Sequence, residues 1–460
     1  MTSSVDVPST PVKEPDPQRG ANWAALRPLV LRLHFYAGLL IAPFLLVAAI
    51  TGLLYAASFQ IEKVVYQHEL TAPVGQSRLP LAQQVAAARA VQPQAKVSSV
   101  QPAVEADRTT RVLLDVPGLA ESTKLAVFVD PYTAQVRGSL ESYGSSGALP
   151  VRAWISHLHR QLHLGEPGRL YSELAASWLW AVALGGLLLW VTRRRRERRR
   201  LILPERELAG SRRILSWHGS VGLWVVLGLI FLSATGLTWS KYAGANVDEL
   251  RSALGWTTPA IATSGGDHAA HTSGGHQHGT TAAISADQVA QAAASKGLSG
   301  PLEIVWPTEA GGPYLVKEID KQWPVRLDQM AVNATTGQVS GELRFADYPL
   351  AAKLTRWGID AHMGLLFGLV NQILLMGVAA GLITLIVLGY RMWWRRRPTR
   401  GLAVPPARGA WRHVNRVMLG ALALVAAGVG VFLPLMGVSL IAFLVLDVLL
   451  GRRSQVMRSR

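Results

Sequence analysis

The chain has 460 residues, enough for two or three ordinary domains, but half are hydrophobic and the apolar residues fall in long uncharged runs. A net charge of +17 raises nucleic acid as a partner, yet the basic residues cluster directly after apolar runs, which is the mark of membrane topology, so nucleic-acid binding is set aside. With no cysteine, the chain has no disulfide, cysteine-ligated iron–sulfur cluster, covalently attached c-type haem or thiol relay.

A mostly polar cytoplasmic segment, residues 1–28, precedes a first predicted span at 29–57. Its uncharged run Ala37–Ala57 would cover roughly 30 Å as a helix, which reads as an uncleaved anchor rather than a signal peptide. Further spans are predicted at 174–192, 217–240 and 362–390. A hairpin of two more is predicted at 414–450, with Pro434 marking either its turn or a kink. Basic clusters follow the second span (Arg193–Arg196, Arg198–Arg200), the fourth (Arg391, Arg395–Arg397, Arg400) and the sixth (Arg452, Arg453, Arg458, Arg460). They put loops 193–216 and 391–413 and the tail 451–460 in the cytoplasm, against anionic lipid headgroups, and both termini on that side. Regions 58–173 and 241–361 then lie outside the membrane.

The chain repeats itself. The first span reads His34-Phe-Tyr-Ala-Gly38, then Thr51-Gly52-Leu53; the third reads His218-Gly-Ser-Val-Gly222, then Thr235-Gly236-Leu237, at identical spacing. His159-Arg-Gln-Leu-His-Leu-Gly165 before the second span matches His362-Met-Gly-Leu-Leu-Phe-Gly368 before the fourth. Outside, Leu81–Leu140 and Ile284–Leu343 each run from an alanine-rich helical stretch to alternating strands and a turn, Asp130-Pro-Tyr-Thr-Ala134 in one and Asn333-Ala-Thr-Thr-Gly337 in the other. The expected fold is therefore an integral membrane α-helical bundle: a four-helix repeat core, a C-terminal hairpin making six spans, and two small α+β extracytoplasmic domains.

Four histidines occupy repeat-related places: His34 and His218 at the cytoplasmic starts of spans one and three, His159 and His362 at the outer starts of spans two and four. Ionisable residues at membrane depth are functional hypotheses by default. Two imidazoles facing each other inside a bundle can grip one haem iron from both sides, which pairs His34 with His218 and His159 with His362. Gly38 and Gly222, one turn from their histidines, would leave room for a flat macrocycle. His163 shares a helical face with His159 and stands as the reserve outer ligand, whereas His157 reads as exposed. The Thr-Gly-Leu motifs read as helix-packing sites, and Trp178, Trp180, Trp239, Trp393 and Trp394 as interfacial belt residues. In the linker 263–281, His268, His271, His276 and His278 could collect copper, zinc or iron, or simply sit in a solvated tract.

These motifs together resemble the PepSY-associated transmembrane helix family over roughly residues 29 to 400, and the two outer regions look like PepSY units. Members of that family include siderophore-iron reductases of the bacterial inner membrane with two b-type haems in a four-helix core. The resemblance implies His34, His159, His218 and His362 as haem ligands, and a ferric siderophore or other metal chelate as substrate. Ala134 departs from the glycine usual in the first outer turn, and the histidine tract and final hairpin look like additions. No nucleotide-binding glycine fingerprint is present, so the electron donor is an unidentified partner or the quinol pool. The rival expectation is a non-enzymatic membrane protein whose outer domains bind peptides, a protease or metals.

Overall fold

Lipid offers no partner for backbone N–H and C=O groups, so apolar runs of this length fold as helices. In the computed structural model, which describes residues 17–194, 197–261, 284–309, 311–396 and 414–456, the chain opens with α1 (Pro17–Leu40), α2 (Ala42–Val65), α3 (Gln67–Leu70) and α4 (Leu81–Val91). Four strands follow, β1 (Lys96–Gln101), β2 (Thr110–Asp115), β3 (Thr123–Val129) and β4 (Val136–Tyr143), then α5 (Pro150–Gln161), α6 (Glu166–Arg194) and α7 (Arg198–Ile202). The second half runs α8 (Gly210–Leu237), α9 (Tyr242–Ala253), α10 (Ala286–Ser295), β5 (Leu302–Val305), β6 (Tyr314–Glu318), β7 (Gln329–Val332), β8 (Val339–Leu343), α11 (Leu350–His362) and α12 (Gly368–Arg396). The chain ends in α13 (Arg416–Phe432) and α14 (Pro434–Val456).

Among the described residues four helices are long and apolar enough to cross a membrane: α2, α6, α8 and α12. The predicted boundaries shift. The first run divides at Ile41, so His34 lies on α1 and the long apolar helix is Ala42–Val65. Helical bonding persists through the break, Ile41 N to Ala37 O at 2.8 Å and Leu45 N to Ile41 O at 3.1 Å. The irregularity has a cause in Pro43, which has no N–H for the Leu39 carbonyl. The Tyr390 hydroxyl donates to that carbonyl instead, at 2.9 Å. His159 and His362 sit on the short helices α5 and α11, ahead of the long ones. Helices α13 and α14 are shorter apolar elements, and Pro434 opens α14, where a missing N–H is harmless.

The chain divides into two compact units, one of Met1–Leu46, Glu173–Ala234 and Gly381–Arg460, the other of Val47–Ser172 and Thr235–Ala380. In the first, α14 is anchored by polar contacts: Trp178 Nε1 donates to Ser439 Oγ at 2.8 Å, and Asp447 pairs with Arg32. Trp178 is fully buried, so its belt assignment is corrected. Asp447, the acidic exception in an apolar run, is neutralised by a guanidinium rather than left to solvent.

In the second unit the two expected outer domains form one sheet. Eight antiparallel strands run in the order β4-β3-β2-β1-β5-β6-β7-β8, with Ser99 opposite Val305 and Val100 opposite Ile304 at the central seam. Two exposed edges are thereby removed. Period-two alternation sends Val100, Val112, Val127, Ile304, Val316 and Met330 to one face, where α4 and α10 cover them through Val85, Ala88, Val289 and Ala293. The halves also cap each other: the Asp287 carboxylate on α10 accepts Leu81 N at 2.7 Å and Ala82 N at 3.0 Å, the first donors of α4. Both turns are Asx turns, Asp130 Oδ1 accepting Tyr132 N at 2.8 Å and Asn333 Oδ1 accepting Thr335 N at 2.9 Å. Ala134 adopts the same left-handed conformation as Gly337, with φ of 58° against 71°. Replacing Asp287 with alanine should cost about 1 kcal/mol, read as a lower thermal midpoint of the full chain in detergent, with asparagine, which keeps one of the two acceptor oxygens, restoring only part of it.

Candidate functional site

The inner histidines meet. His34 on α1 and His218 on α8 have ring centroids 6.4 Å apart and planes crossing at 78°. Each Nδ1–H donates to a helix carbonyl, His34 to Val182 on α6 and His218 to Leu385 on α12, both at 3.1 Å. A carbonyl only accepts, so the proton sits on Nδ1 and Nε2 keeps its lone pair for a metal. A glycine stands one turn beyond each carbonyl, and at Gly186 the approach needs it. A Cβ on Gly186 would come within 3.0 Å of His34 Cε1, and one on Gly389 within 3.8 Å of His218 Cε1. A Cβ at Gly38 would meet nothing within 4 Å, which keeps that side open as expected, whereas Gly222 faces Leu385 at 3.6 Å.

The outer histidines use a different tether. Thr51 Oγ1 donates to the Val47 carbonyl at 2.8 Å, so it accepts Nδ1–H of His159 at 3.0 Å. Thr235 Oγ1 bonds His362 Nδ1 at 2.6 Å in the second half. The Thr-Gly-Leu motifs therefore do more than pack helices. Their threonines orient the outer imidazoles, and Gly52 makes way for His159, whose Cε1 lies 3.1 Å from where a Cβ would be. Tyr55 stacks over His159 with centroids 6.3 Å apart, and Trp239 meets His362 edge-on at 5.3 Å. His159 and His362 stand close enough that charge on one bears on the other.

His163 is not at this pair. Its Nε2–H donates to the Trp154 carbonyl at 3.1 Å and its ring lies 6.1 Å from His157. His268, His271, His276 and His278 lie outside the described residues. Among the described residues no group of three or more His, Asp or Glu side chains gathers at metal-ligand spacing.

Apolar helices of membrane-crossing length, an antiparallel sheet and paired histidines define a membrane-spanning protein with a folded sheet domain. The family model described as the PepSY-associated TM region matches residues 31–396, and the chain belongs to that family. None of the curated proteins compared with it matches. Valine in place of Thr51 or Thr235 should strand a buried imidazole donor and cost about 1–3 kcal/mol, with serine largely restoring the thermal midpoint; equal loss in the serine variants would mean that the methyl group, not the hydroxyl, matters.

Proposed function

We propose that the chain is a transmembrane electron-transfer protein holding two b-type haems, one between His34 and His218 and one between His159 and His362. On this reading it reduces a ferric siderophore or another metal chelate on the extracytoplasmic side, with electrons from the cytoplasm or the quinol pool. The observation that carries the reading is the inner pair. Two imidazoles on opposite sides of one metal need bonds of about 2 Å, which puts their ring centroids roughly 6 Å apart; those of His34 and His218 are 6.4 Å apart. An aqua-metal site would want more protein ligands than two, whereas a porphyrin brings four nitrogens of its own.

When bound, haem supplies a reversible one-electron couple at each pair. The chain's residues do the rest. Val182 and Leu385 hold the inner imidazoles in the Nδ1–H tautomer, and Thr51 and Thr235 orient the outer ones. Taking iron from Fe³⁺ to Fe²⁺ weakens its hold on hard oxygen ligands, which suits release from a chelate. The basic clusters support a multi-pass protein of the inner (cytoplasmic) membrane with six spans, both termini cytoplasmic and the sheet outside.

Purified protein should show the absorption of bis-histidine haem b at two haems per chain, and His34→Ala and His362→Ala should each remove about half of it. Colourless protein, or variants that keep both haems, would overturn the reading in favour of a non-enzymatic protein whose sheet binds peptides, a protease or metals.

A further inference from the structure

The sheet face turned away from α4 and α10 carries a second feature. At the β1–β5 seam a cleft of about 310 Å³ opens between the halves, with Leu70, Gln101, Arg108, Arg111, Phe128 and Ile319 in its wall. That volume is at the small end of small-molecule sites. Leu70 and Phe128 give it an apolar floor, and Arg108 is held by Glu105 at 2.8 Å.

Arg111 is different. Among the described residues it makes no ion pair; its Nη1 donates to the Gly147 carbonyl at 3.2 Å and its guanidinium lies 5.1 Å from the Phe128 centroid. Burial pushes it down to about 10, against the pull of Glu62 and Glu303, and leaves it charged at neutral pH. The carbonyls of the same turn also receive Lys321 Nζ, at Ser145 and 2.7 Å, and Arg152 Nη2, at Gly147 and 3.1 Å. Burial, with Arg356 and Arg152 nearby, pushes Lys321 down to about 8. Of the acids that act on these cations, Asp360 pairs through Oδ2 with Arg356 at 2.8 Å. Glu62 accepts both Arg152 Nε and Nη2, at 2.9 and 3.1 Å, and Glu303 accepts Ser99 Oγ at 2.8 Å. Among the described residues Arg111 in the cleft wall thus makes no ion pair, and its guanidinium geometry suits bidentate capture of a carboxylate; Lys321 lies outside the wall but reaches the same Ser145–Gly147 turn.

The cleft is also in packed connection with the outer histidine. Tyr55 stacks on His159, Phe59 meets Tyr55 at 5.7 Å, and Arg152 lies over Phe59 at 4.8 Å. Arg152 and Arg111 share the Gly147 carbonyl, and Arg111 covers Phe128 in the cleft wall.

We propose that this cleft is the docking site for an anionic, compact metal chelate of the polycarboxylate type, with Arg111 as its carboxylate anchor and Lys321 adding positive potential. The assignment rests on the electron-transfer reading for its purpose but not for its test. Gallium(III) citrate cannot take the electron, so its binding to the full-length purified protein, followed by tryptophan fluorescence or calorimetry, reports docking alone. Saturable binding is expected, weakened at least tenfold in Arg111→Gln and at least threefold in Lys321→Gln, with Arg111→Lys intermediate. A cationic ferric trihydroxamate should bind at least tenfold more weakly, and Arg111→Gln should not weaken it further. Absence of gallium citrate binding, or unchanged affinity in Arg111→Gln of normal thermal midpoint, overturns the proposal. If Arg111→Gln does not fold, unchanged affinity in Lys321→Gln does so instead. Protein that binds gallium citrate but carries no haem keeps the cleft and loses the electron-transfer reading; haem-loaded protein whose citrate binding ignores Arg111 does the reverse.

Discussion

An imidazole carried into an apolar bundle has two ring nitrogens to satisfy, and only one can be offered to a metal. The other must find an acceptor that lipid and aliphatic side chains do not provide. The chain meets this demand four times. It takes main-chain oxygen from helices at Val182 and Leu385, and a threonine hydroxyl already committed to its own helix at Thr51. Both devices recur at equivalent places in the two halves, so the constraint acts on each imidazole separately. Gly186 follows from it, since a Cβ there would crowd the His34 ring.

Much of the architecture was legible because it rests on periodic or repeated signals. Apolar runs located the long helices, and duplicated His-x-x-x-Gly and Thr-Gly-Leu spacings marked the repeat and singled out four histidines. The pairing of His34 with His218 followed from side and repeat, and the rings do meet. The role of Thr51 and Thr235 was not legible. A threonine in an apolar helix usually bonds its own backbone, and nothing local tells that His159, 108 residues away, will donate to it. Gly186 and Gly389 carried a signal, small residues in long helices, but not its meaning.

Edge pairing was equally hidden. Lys96–Gln101 and Leu302–Val305 are short, partly buried strands, which fits two separate sheets as well as one. Deciding between them takes the Ser99–Glu303 bond and the Asp287 cap, both long-range. Likewise His163 shares a helical face with His159 only while the helix continues. Leu162 ends α5 in a left-handed conformation, and His163, with φ of 55°, turns toward Trp154. A single backbone dihedral thus sends the two side chains apart, which periodicity could not foretell.

The seam between β1 and β5 constrains what a shorter version of this molecule could be. Cut between α6 and α8, each half keeps two long helices and four strands but exposes one raw strand edge and separates His34 from His218. A lone half is self-complementary at both places, since each repeat carries an inner histidine, an outer histidine and a free edge. Such a half would reach closure only by meeting a second copy of itself around a twofold axis. Within one chain the two halves need not match, and they do not: Ala134 stands at the turn position that Gly337 holds in the other half, and the cations at the Ser145–Gly147 turn come unequally from the two sides.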